Sequence, residues 1–128
     1  MRSDRSAPVV LVVEDEWLIR EEIAHELAHG GCNVLEASTG EGAVALLREG
    51  QKIDAVVTDI RLAGYLSGWD VAEAFRAVRP DMPVIYASAN EAEKSRRVPG
   101  SVFFAKPYRT SEILAACRTA CRLSKPAP

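Results

Sequence analysis

The chain has 128 residues, of which 48% are hydrophobic and 27% are charged, a composition that suits one globular domain and excludes a disordered or fibrous chain. The formal net charge is −2 without a long run of one sign, so no nucleic-acid-binding surface is expected. The longest apolar run, residues 7–13, is too short for a membrane span or a secretory signal. These features predict a cytoplasmic protein without membrane or nucleic-acid partners.

The first predicted elements are a strand and a helix. Residues 9–13 are a β-branched and leucine run that ends in acid, which is typical of a strand buried on both faces. Residues 16–29 predict an amphipathic helix, and the apolar residues that define it are Leu18, Ile19, Ile23 and Leu27. Two glycines after residue 29 predict the end of this helix.

A second strand, a second helix and a third strand follow. The strands are expected at 32–37 and 53–58. Between them, Ser38 and Glu41 have the spacing of a capping box, and Gly50 predicts the end of the helix.

A third helix is predicted from Ser67, where Asp70 completes another capping box, to about Arg79. Its expected inner face consists of Val71, Ala72, Phe75 and Val78.

Two strands and two helices complete the pattern. The strands are expected at 83–87 and 101–105, and Asn90 with Glu93 predicts caps for a short helix between them. The last helix is expected at 110–123. Cys32, Cys117 and Cys121 include no Cys-x-x-Cys pair, which favours packing in the core of a protein from a reducing compartment.

Strands that alternate with helices predict an α/β fold, because parallel strands need crossovers and crossovers place helices on the faces of the sheet. We expect a single doubly wound domain over residues 8–123, with tails at 1–7 and 124–128. The proline-containing second tail leaves open whether it begins a linker to an output domain.

Polar side chains follow four of the predicted strands. Glu14 and Asp15 follow the first strand, Asp59 the third, Ser88 the fourth and Lys106 the fifth. Ligand sites of open α/β sheets lie outside the carboxyl ends of the strands, so these side chains should converge. Three carboxylates, a hydroxyl and an ammonium are the groups that phosphoryl transfer with a divalent cation requires.

Four short motifs resemble those of the receiver domain of two-component response regulators. They are residues 12–16 (VVEDE), 56–59 (VVTD), 87–89 (ASA) and 104–107 (FAKP). The similarity extends from about residue 9 to residue 123. It implies a flavodoxin-like (βα)5 domain whose five-stranded parallel sheet has the order 2-1-3-4-5. The implied function is phosphorelay signalling, in which the chain accepts a phosphoryl group from a histidine kinase phosphohistidine and changes its binding to a downstream protein target.

The resemblance also implies the roles of individual residues. Asp59 would be the phosphoacceptor, and Glu14, Asp15, Asp59 and the backbone carbonyl of Arg61 would hold Mg²⁺. Close carboxylates repel one another, so a bound cation would keep the nucleophile ionised. The chain would catalyse only its own phosphorylation and dephosphorylation, and is therefore not expected to be an enzyme with a separate substrate.

Four further residues have roles in this comparison. Lys106 would pair with the phosphoryl oxygens, and Ser88 would donate a hydrogen bond to one of them. A cis bond is expected between Lys106 and Pro107. Phe103 occupies the aromatic switch position of the family, and a plain core role remains the alternative because Phe103 and Phe104 point to opposite faces of a strand.

Three features depart from the family pattern. The first acid is Glu14 where Asp is commoner, and the loop 60–68 is longer than usual with Ala63 where a proline often stands. Only 17 residues separate Ser88 from Lys106, which predicts a short or poorly formed fourth helix.

Residues 83–89 are similar to the signature of the FAT GUY receivers, which are mostly stand-alone receivers that work with HWE-class histidine kinases.

Partner contacts and oligomeric state are less constrained by the sequence. The regions that determine kinase specificity in the family include Trp17, Leu18 and Tyr108. Trp17 is either a core residue or a contact for a partner. A monomer or a weak homodimer is expected.

Two alternative functions are considered. His25-Glu26-x-x-His29 matches the zinc peptidase motif, but such enzymes need a third ligand and a cleft, so His25 and His29 are interpreted as helix-terminal residues and Glu26 as solvated. The other alternative is a pseudo-receiver, an interaction module that is never phosphorylated, although both Asp59 and Lys106 are present.

Overall fold

Five parallel strands form one sheet in the computed structural model, which describes residues 7–89 and 96–124. The strands are β1 (Val9–Val13), β2 (Asn33–Ala37), β3 (Ala55–Thr58), β4 (Val84–Ser88) and β5 (Val102–Ala105). Their order is β2-β1-β3-β4-β5, and all four neighbouring pairs are parallel. The predicted strand order is therefore confirmed.

Four helices occur within the described residues. They are α1 (Trp17–His29), α2 (Gly40–Arg48), α3 (Gly68–Val78) and α4 (Thr110–Ser124). The short helix predicted from Asn90 and Glu93 lies outside the described residues. None of the described helices is long and apolar enough to cross a membrane.

The sheet separates two apolar clusters because successive side chains of a strand point to opposite faces. Val10 and Val12 of β1 belong to the cluster beneath α1 and α4, whereas Leu11 and Val13 belong to the cluster beneath α2 and α3. Both faces are thus covered, which explains why β1 has no polar residue.

The three cysteines pack beneath α1 and α4 as predicted. Cys32, Cys117 and Cys121 are all buried and belong to the same apolar cluster. Burial raises the pKa of the Cys117 thiol above its ordinary value, so this group is an uncharged packing element.

One residue of a predicted inner face, Val78, and one neighbour of a predicted apolar face, Leu18, are exposed. Leu18 is 64% exposed because it lies about 100° around the helix from Ile19, away from the face that Ile23 and Leu27 bury. Val78 is the last residue of α3 and is 68% exposed, so the apolar face of that helix ends at Phe75.

The two predicted capping boxes have different outcomes. At α3, Asp70 N donates to Ser67 Oγ at 3.3 Å and Ser67 N donates to Asp70 Oδ2 at 2.8 Å, so that capping box is confirmed. At α2 the prediction from Ser38 is wrong, because Thr39 caps the helix by accepting from Gly42 N at 2.9 Å. Glu41, the other predicted member, accepts a hydrogen bond from a distant loop instead.

Candidate functional site

The carboxyl ends of β1, β3, β4 and β5 lie side by side and carry the predicted polar groups. Asp59 N donates to Val13 O at 3.0 Å, which places Asp59 next to Glu14, the residue that follows β1. Lys106 N donates to Ser88 O at 3.1 Å and fixes these two residues in the same way. The backbone hydrogen bonds of the sheet therefore bring the predicted site together.

Three carboxylates form a cluster at this edge. Oxygen atoms of Glu14, Asp15 and Asp59 all lie within 4.8 Å of one another, and no other group of three metal-ligating side chains occurs in the described part of the chain. Carboxylate oxygens are the ligands that hard cations such as Mg²⁺ prefer, so the residues present fit that cation.

The surroundings of Glu14 raise the pKa of its carboxyl group. Its side chain is 2% exposed, and burial together with repulsion from Asp59 and Asp15 raises its pKa to about 7. Glu16 N donates to Glu14 Oε2 at 3.0 Å and limits this rise, as does the positive charge of Lys106. Without a cation, the cluster therefore takes up a proton at Glu14 close to neutral pH.

Lys106 supplies the positive charge of the site. Its Nζ atom lies 3.9 Å from Asp59 Oδ2, and the peptide bond between Lys106 and Pro107 is cis, as expected from the sequence. The other oxygen of Asp59, Oδ1, accepts from Ile60 N at 2.6 Å. One carboxylate oxygen is thus held by the backbone, and the second lies near the ammonium group.

The site opens into a cavity of about 330 Å³ lined by Asp59, Arg61, Ser88, Ala89 and Lys106. Ser88 is 1% exposed, yet it contributes to the wall of this cavity. A hydroxyl, a carboxylate and an ammonium therefore face a space that can receive a small anionic group.

Phe103 packs on the α2 and α3 side of the sheet, and Phe104 packs on the other side. The Phe103 ring centroid lies 6.1 Å from that of Tyr86, and the Arg97 guanidinium lies 5.9 Å from the Phe103 centroid. Tyr86 in turn accepts a hydrogen bond from Val98 N at 3.2 Å. Both phenylalanines are half-buried, and the switch role of Phe103 stays a prediction.

Beside the site, α1 presents an apolar surface. Trp17 is 61% exposed and Leu18 is 64% exposed, so the core alternative for Trp17 is wrong. Leu18 lines a cavity of about 620 Å³ between α1 and the segment that carries Tyr108 and Thr110. Burial raises the pKa of Tyr108 to about 12, so its hydroxyl is neutral at physiological pH.

The zinc peptidase motif lies on this same helix. The His25 and His29 rings are 6.1 Å apart and nearly parallel, and both residues are exposed. Glu26 is half-buried rather than solvated and accepts from Thr110 Oγ1 at 3.3 Å. No third ligand joins the histidines in the ranges 7–89 and 96–124, so the structure offers no support for a peptidase centre.

One contact at the edge of the site was missed by sequence reasoning. Glu41, at the start of α2, accepts a hydrogen bond from Tyr65 N at 2.8 Å in the loop that follows Asp59. The two residues are 24 positions apart, so no local pattern indicates the contact.

Comparison with known proteins gives a consistent result. The family model described as the response regulator receiver domain matches residues 10–118. A response regulator receiver protein from Sinorhizobium medicae is 31% identical, with a TM-score of 0.88 over 93% of this chain and 98% of that one. The response regulator TrrA of Thermotoga maritima, solved in complex with Mg²⁺ and BeF, is 28% identical with a TM-score of 0.77 over 88% of this chain and 98% of that one.

Among curated proteins, the probable transcriptional regulatory protein TcrX of Mycobacterium tuberculosis is 32% identical over 125 residues. The alignment covers 94% of this chain and 53% of TcrX. The chain thus spans about half the length of the curated relatives it matches.

Proposed function

Because the chain belongs to the response regulator receiver domain family of two-component phosphorelay systems, we propose that it accepts a phosphoryl group on Asp59 from a histidine kinase phosphohistidine. The observation that carries this proposal is the position of Asp59, which lies in the carboxylate cluster and 3.9 Å from Lys106 at the wall of an open cavity. No other aspartate in the described part of the chain combines these surroundings.

The reaction balances without a further reactant. An oxygen of Asp59 attacks phosphorus, a P–O bond forms, the P–N bond of the phosphohistidine breaks, and the imidazole leaves with its electron pair and takes up a proton. Lys106 then pairs with a phosphoryl oxygen, and the Ser88 hydroxyl donates a hydrogen bond to another. Hydrolysis of the acyl phosphate restores Asp59, so the chain acts only on itself.

Glu14, Asp15, Asp59 and the backbone carbonyl of Arg61 are the groups that we propose hold Mg²⁺. When bound, this cation offsets the negative charge of the carboxylates and of the incoming phosphoryl group. The family binds Mg²⁺ at such an acidic pocket, and the donor set of this chain is of the same kind.

The kinase docks, in this proposal, on Trp17 and Leu18, the exposed apolar residues at the start of α1, and on the half-buried Tyr108, which lines a cavity together with Leu18. Large exposed apolar side chains next to a reactive site are typical of protein contacts. Their position beside Asp15 would let the kinase histidine reach Asp59. We assign the kinase to the HWE class, and the similarity of residues 83–89 to the FAT GUY signature supports this assignment.

The output is proposed to be binding to a downstream protein, with Ser88 and Phe103 coupling the phosphoryl group to that surface. A cytoplasmic, stand-alone receiver that is a monomer or a weak homodimer is the form we propose. Immunoblotting of a native lysate tests whether the receiver stands alone. A stand-alone receiver gives a band of the size of the 128-residue chain, and a fused receiver gives a larger one.

The phosphoacceptor is tested by intact mass spectrometry after incubation with acetyl phosphate and MgCl₂. We expect one phosphoryl adduct in the wild type, none without Mg²⁺ and none in Asp59→Asn. Asp81→Asn is the matched control, because Asp81 is an exposed aspartate with a 76% exposed side chain. An adduct that persists in Asp59→Asn refutes the assignment. Absence of any adduct from acetyl phosphate and from phosphorylated kinase, with Mg²⁺ still bound, identifies a pseudo-receiver.

The docking surface is tested separately. Trp17→Ala should slow phosphotransfer from an autophosphorylated HWE-class kinase while leaving labelling by acetyl phosphate unchanged, because the small donor does not need the surface. Val78→Ala removes an equally exposed apolar side chain from α3 and is the control. Equal phosphotransfer rates in both variants would place the kinase contact elsewhere.

A further inference from the structure

The loop between β3 and α3 is closed at its base by backbone contacts. Gly68 N donates to Ile60 O at 2.7 Å, and a Cβ atom at Gly68 would collide with the carbonyl oxygen of Asp59. The base of the loop is therefore fixed next to the proposed phosphoacceptor. Within residues 61–66, Leu62 packs against the apolar cluster beneath α2 and α3, and the tip of the loop is held by further contacts.

The tip of the loop is held by the start of α2. Ala63 forms an isolated parallel bridge with Thr39, and Tyr65 N donates to Glu41 Oε2 at 2.8 Å. A Cβ atom at Gly64 would lie 2.6 Å from Glu41 Oε1, so the glycine permits the close approach of this carboxylate. Gly64 also has a φ of 93°, which disfavours other residues.

The side chain of Tyr65 does not anchor the tip, since it is 98% exposed. The anchor is a backbone N–H paired with a carboxylate, which is stronger than a hydrogen bond between neutral groups. Hydrogen bonding from the Tyr65 backbone also lowers the pKa of Glu41, so the acceptor is ionised at neutral pH.

The segment between base and tip carries Arg61, which lines the cavity of the site. Functional groups on loops are placed less accurately than those on strands or helices unless surrounding contacts hold them. Glu14, Asp59 and Ser88 are fixed by the sheet, whereas the position of Arg61 depends on the loop. Three contacts hold this part of the loop: Leu62 packs against the apolar cluster, Ala63 is bridged to Thr39, and Glu41 accepts from Tyr65 N. The contact with Glu41 is the one among them that depends on a single charged side chain.

We propose that Glu41 is a positioning residue for phosphoryl transfer, which holds the loop 61–66 so that Arg61 faces the carboxylate cluster. This inference rests on the proposed function of Asp59. Glu41 touches neither the phosphoryl group nor the cation, and its effect passes through the hydrogen bond to Tyr65. It also explains how a loop with Ala63 instead of the more usual proline is kept in place.

Glu41→Ala and Glu41→Gln separate this role from a general effect on the helix. Both variants remove the negative charge from the first turn of α2, but glutamine keeps an oxygen that can accept from Tyr65 N. Glu49→Ala removes an exposed glutamate at the other end of the same helix and is the matched control. Urea unfolding of all variants monitors the stability of the fold.

Three measurements are made on each variant. Hydrogen exchange of the Tyr65 amide reports the hydrogen bond itself. Binding of Mn²⁺, followed by the electron paramagnetic resonance signal of the free ion, reports the cation site without any reaction. The rate of labelling by acetyl phosphate at saturating MgCl₂ reports the transfer step.

We expect Glu41→Ala to speed exchange of the Tyr65 amide and to weaken Mn²⁺ binding or slow labelling by at least about threefold, which is well below the roughly hundredfold loss that a misplacement of about 1 Å can cause. Glu41→Gln should restore most of the loss, and Glu49→Ala should match the wild type. The proposal is wrong if amide exchange is unchanged, if Mn²⁺ binding and labelling both stay at wild-type values, or if glutamine is as defective as alanine. Absence of wild-type labelling by both acetyl phosphate and phosphorylated kinase would instead refute the function of Asp59. Amide exchange and Mn²⁺ binding would still report whether Glu41 positions the loop.

Discussion

Glu14→Gln should stabilise the cation-free protein in a way that depends on pH. Glu14 is 2% exposed, and burial next to Asp59 and Asp15 raises its pKa to about 7 from 4.5. The folded protein therefore holds a proton on Glu14 at pH values at which the unfolded chain has released it. The free energy of unfolding should consequently fall as the pH rises from about 4.5 to about 7.

The size of this effect follows from the two pKa values. Each unit of difference between the two pKa values corresponds to about 1.4 kcal/mol. The free energy of unfolding therefore falls by about 3 kcal/mol by pH 8 if Glu14 alone is responsible. Glu14 interacts electrostatically with Asp59, Lys106 and Asp15, so one substitution at Glu14 removes only a part of this cost. Gln keeps an oxygen to accept from Glu16 N, and we expect Glu14→Gln to gain about 2 kcal/mol at pH 8 and almost nothing at pH 4.5.

Urea unfolding in the presence of EDTA, repeated from pH 4.5 to pH 8, measures the difference between variant and wild type. Glu21→Gln, which changes an exposed glutamate of α1, controls for the loss of a negative charge. A difference that is the same at every pH would refute the reasoning, because the charge of Glu14 would then have no cost in the fold. With saturating Mg²⁺ the order should reverse, since a cation that binds only the folded state stabilises the wild type more than a variant with one ligand fewer.

Three further predictions concern the fold and the rejected zinc site. Phe75→Ala should lower the free energy of unfolding by about 3–5 kcal/mol in urea titrations, because Phe75 is fully buried; a loss below about 1 kcal/mol would contradict the described core. Ser67→Ala should cost about 1 kcal/mol by removing the cap of α3, and an unchanged urea midpoint would show that the cap contributes nothing. Dialysed protein should contain no stoichiometric zinc when the metal is measured by mass spectrometry. His29→Ala should leave labelling by acetyl phosphate unchanged. Bound zinc that is lost in His29→Ala would favour the peptidase interpretation.

Periodic features of the sequence predicted the sheet and the elements around it. The β-branched run of β1 indicates a strand with two covered faces, and two such faces require helices on both sides. The strand ends then located Glu14, Asp59, Ser88 and Lys106 near one another without any knowledge of side-chain geometry, because parallel strands share one carboxyl edge. The order of the strands could not come from the same pattern, since alternation is equally compatible with other orders, and it came from the resemblance.

Details that depend on distant contacts could not be predicted. Leu18 is apolar and adjoins the face that Ile19 shares with Ile23 and Leu27, and the orientation of α1 on the sheet leaves Leu18 exposed while Ile19 is half-buried. Ser38 and Thr39 are both good caps, and the choice of Thr39 depends on where α2 begins. Glu41 has a spacing typical of a capping box, but the Tyr65 amide competes successfully for its carboxylate.

The charge balance of the site connects its stability with its chemistry. Glu14, Asp15 and Asp59 would carry three negative charges within 4.8 Å, and Lys106 is the one cation with an ion pair to the cluster in the described part of the chain. Two negative charges remain unbalanced when all three acids are ionised, which is why burial and repulsion favour a proton on Glu14. A divalent cation has the charge needed to replace that proton, so it would keep all three carboxylates ionised and leave an oxygen of Asp59 free to attack phosphorus. The acidity that destabilises the cation-free fold is thus the same property that would make the site depend on Mg²⁺.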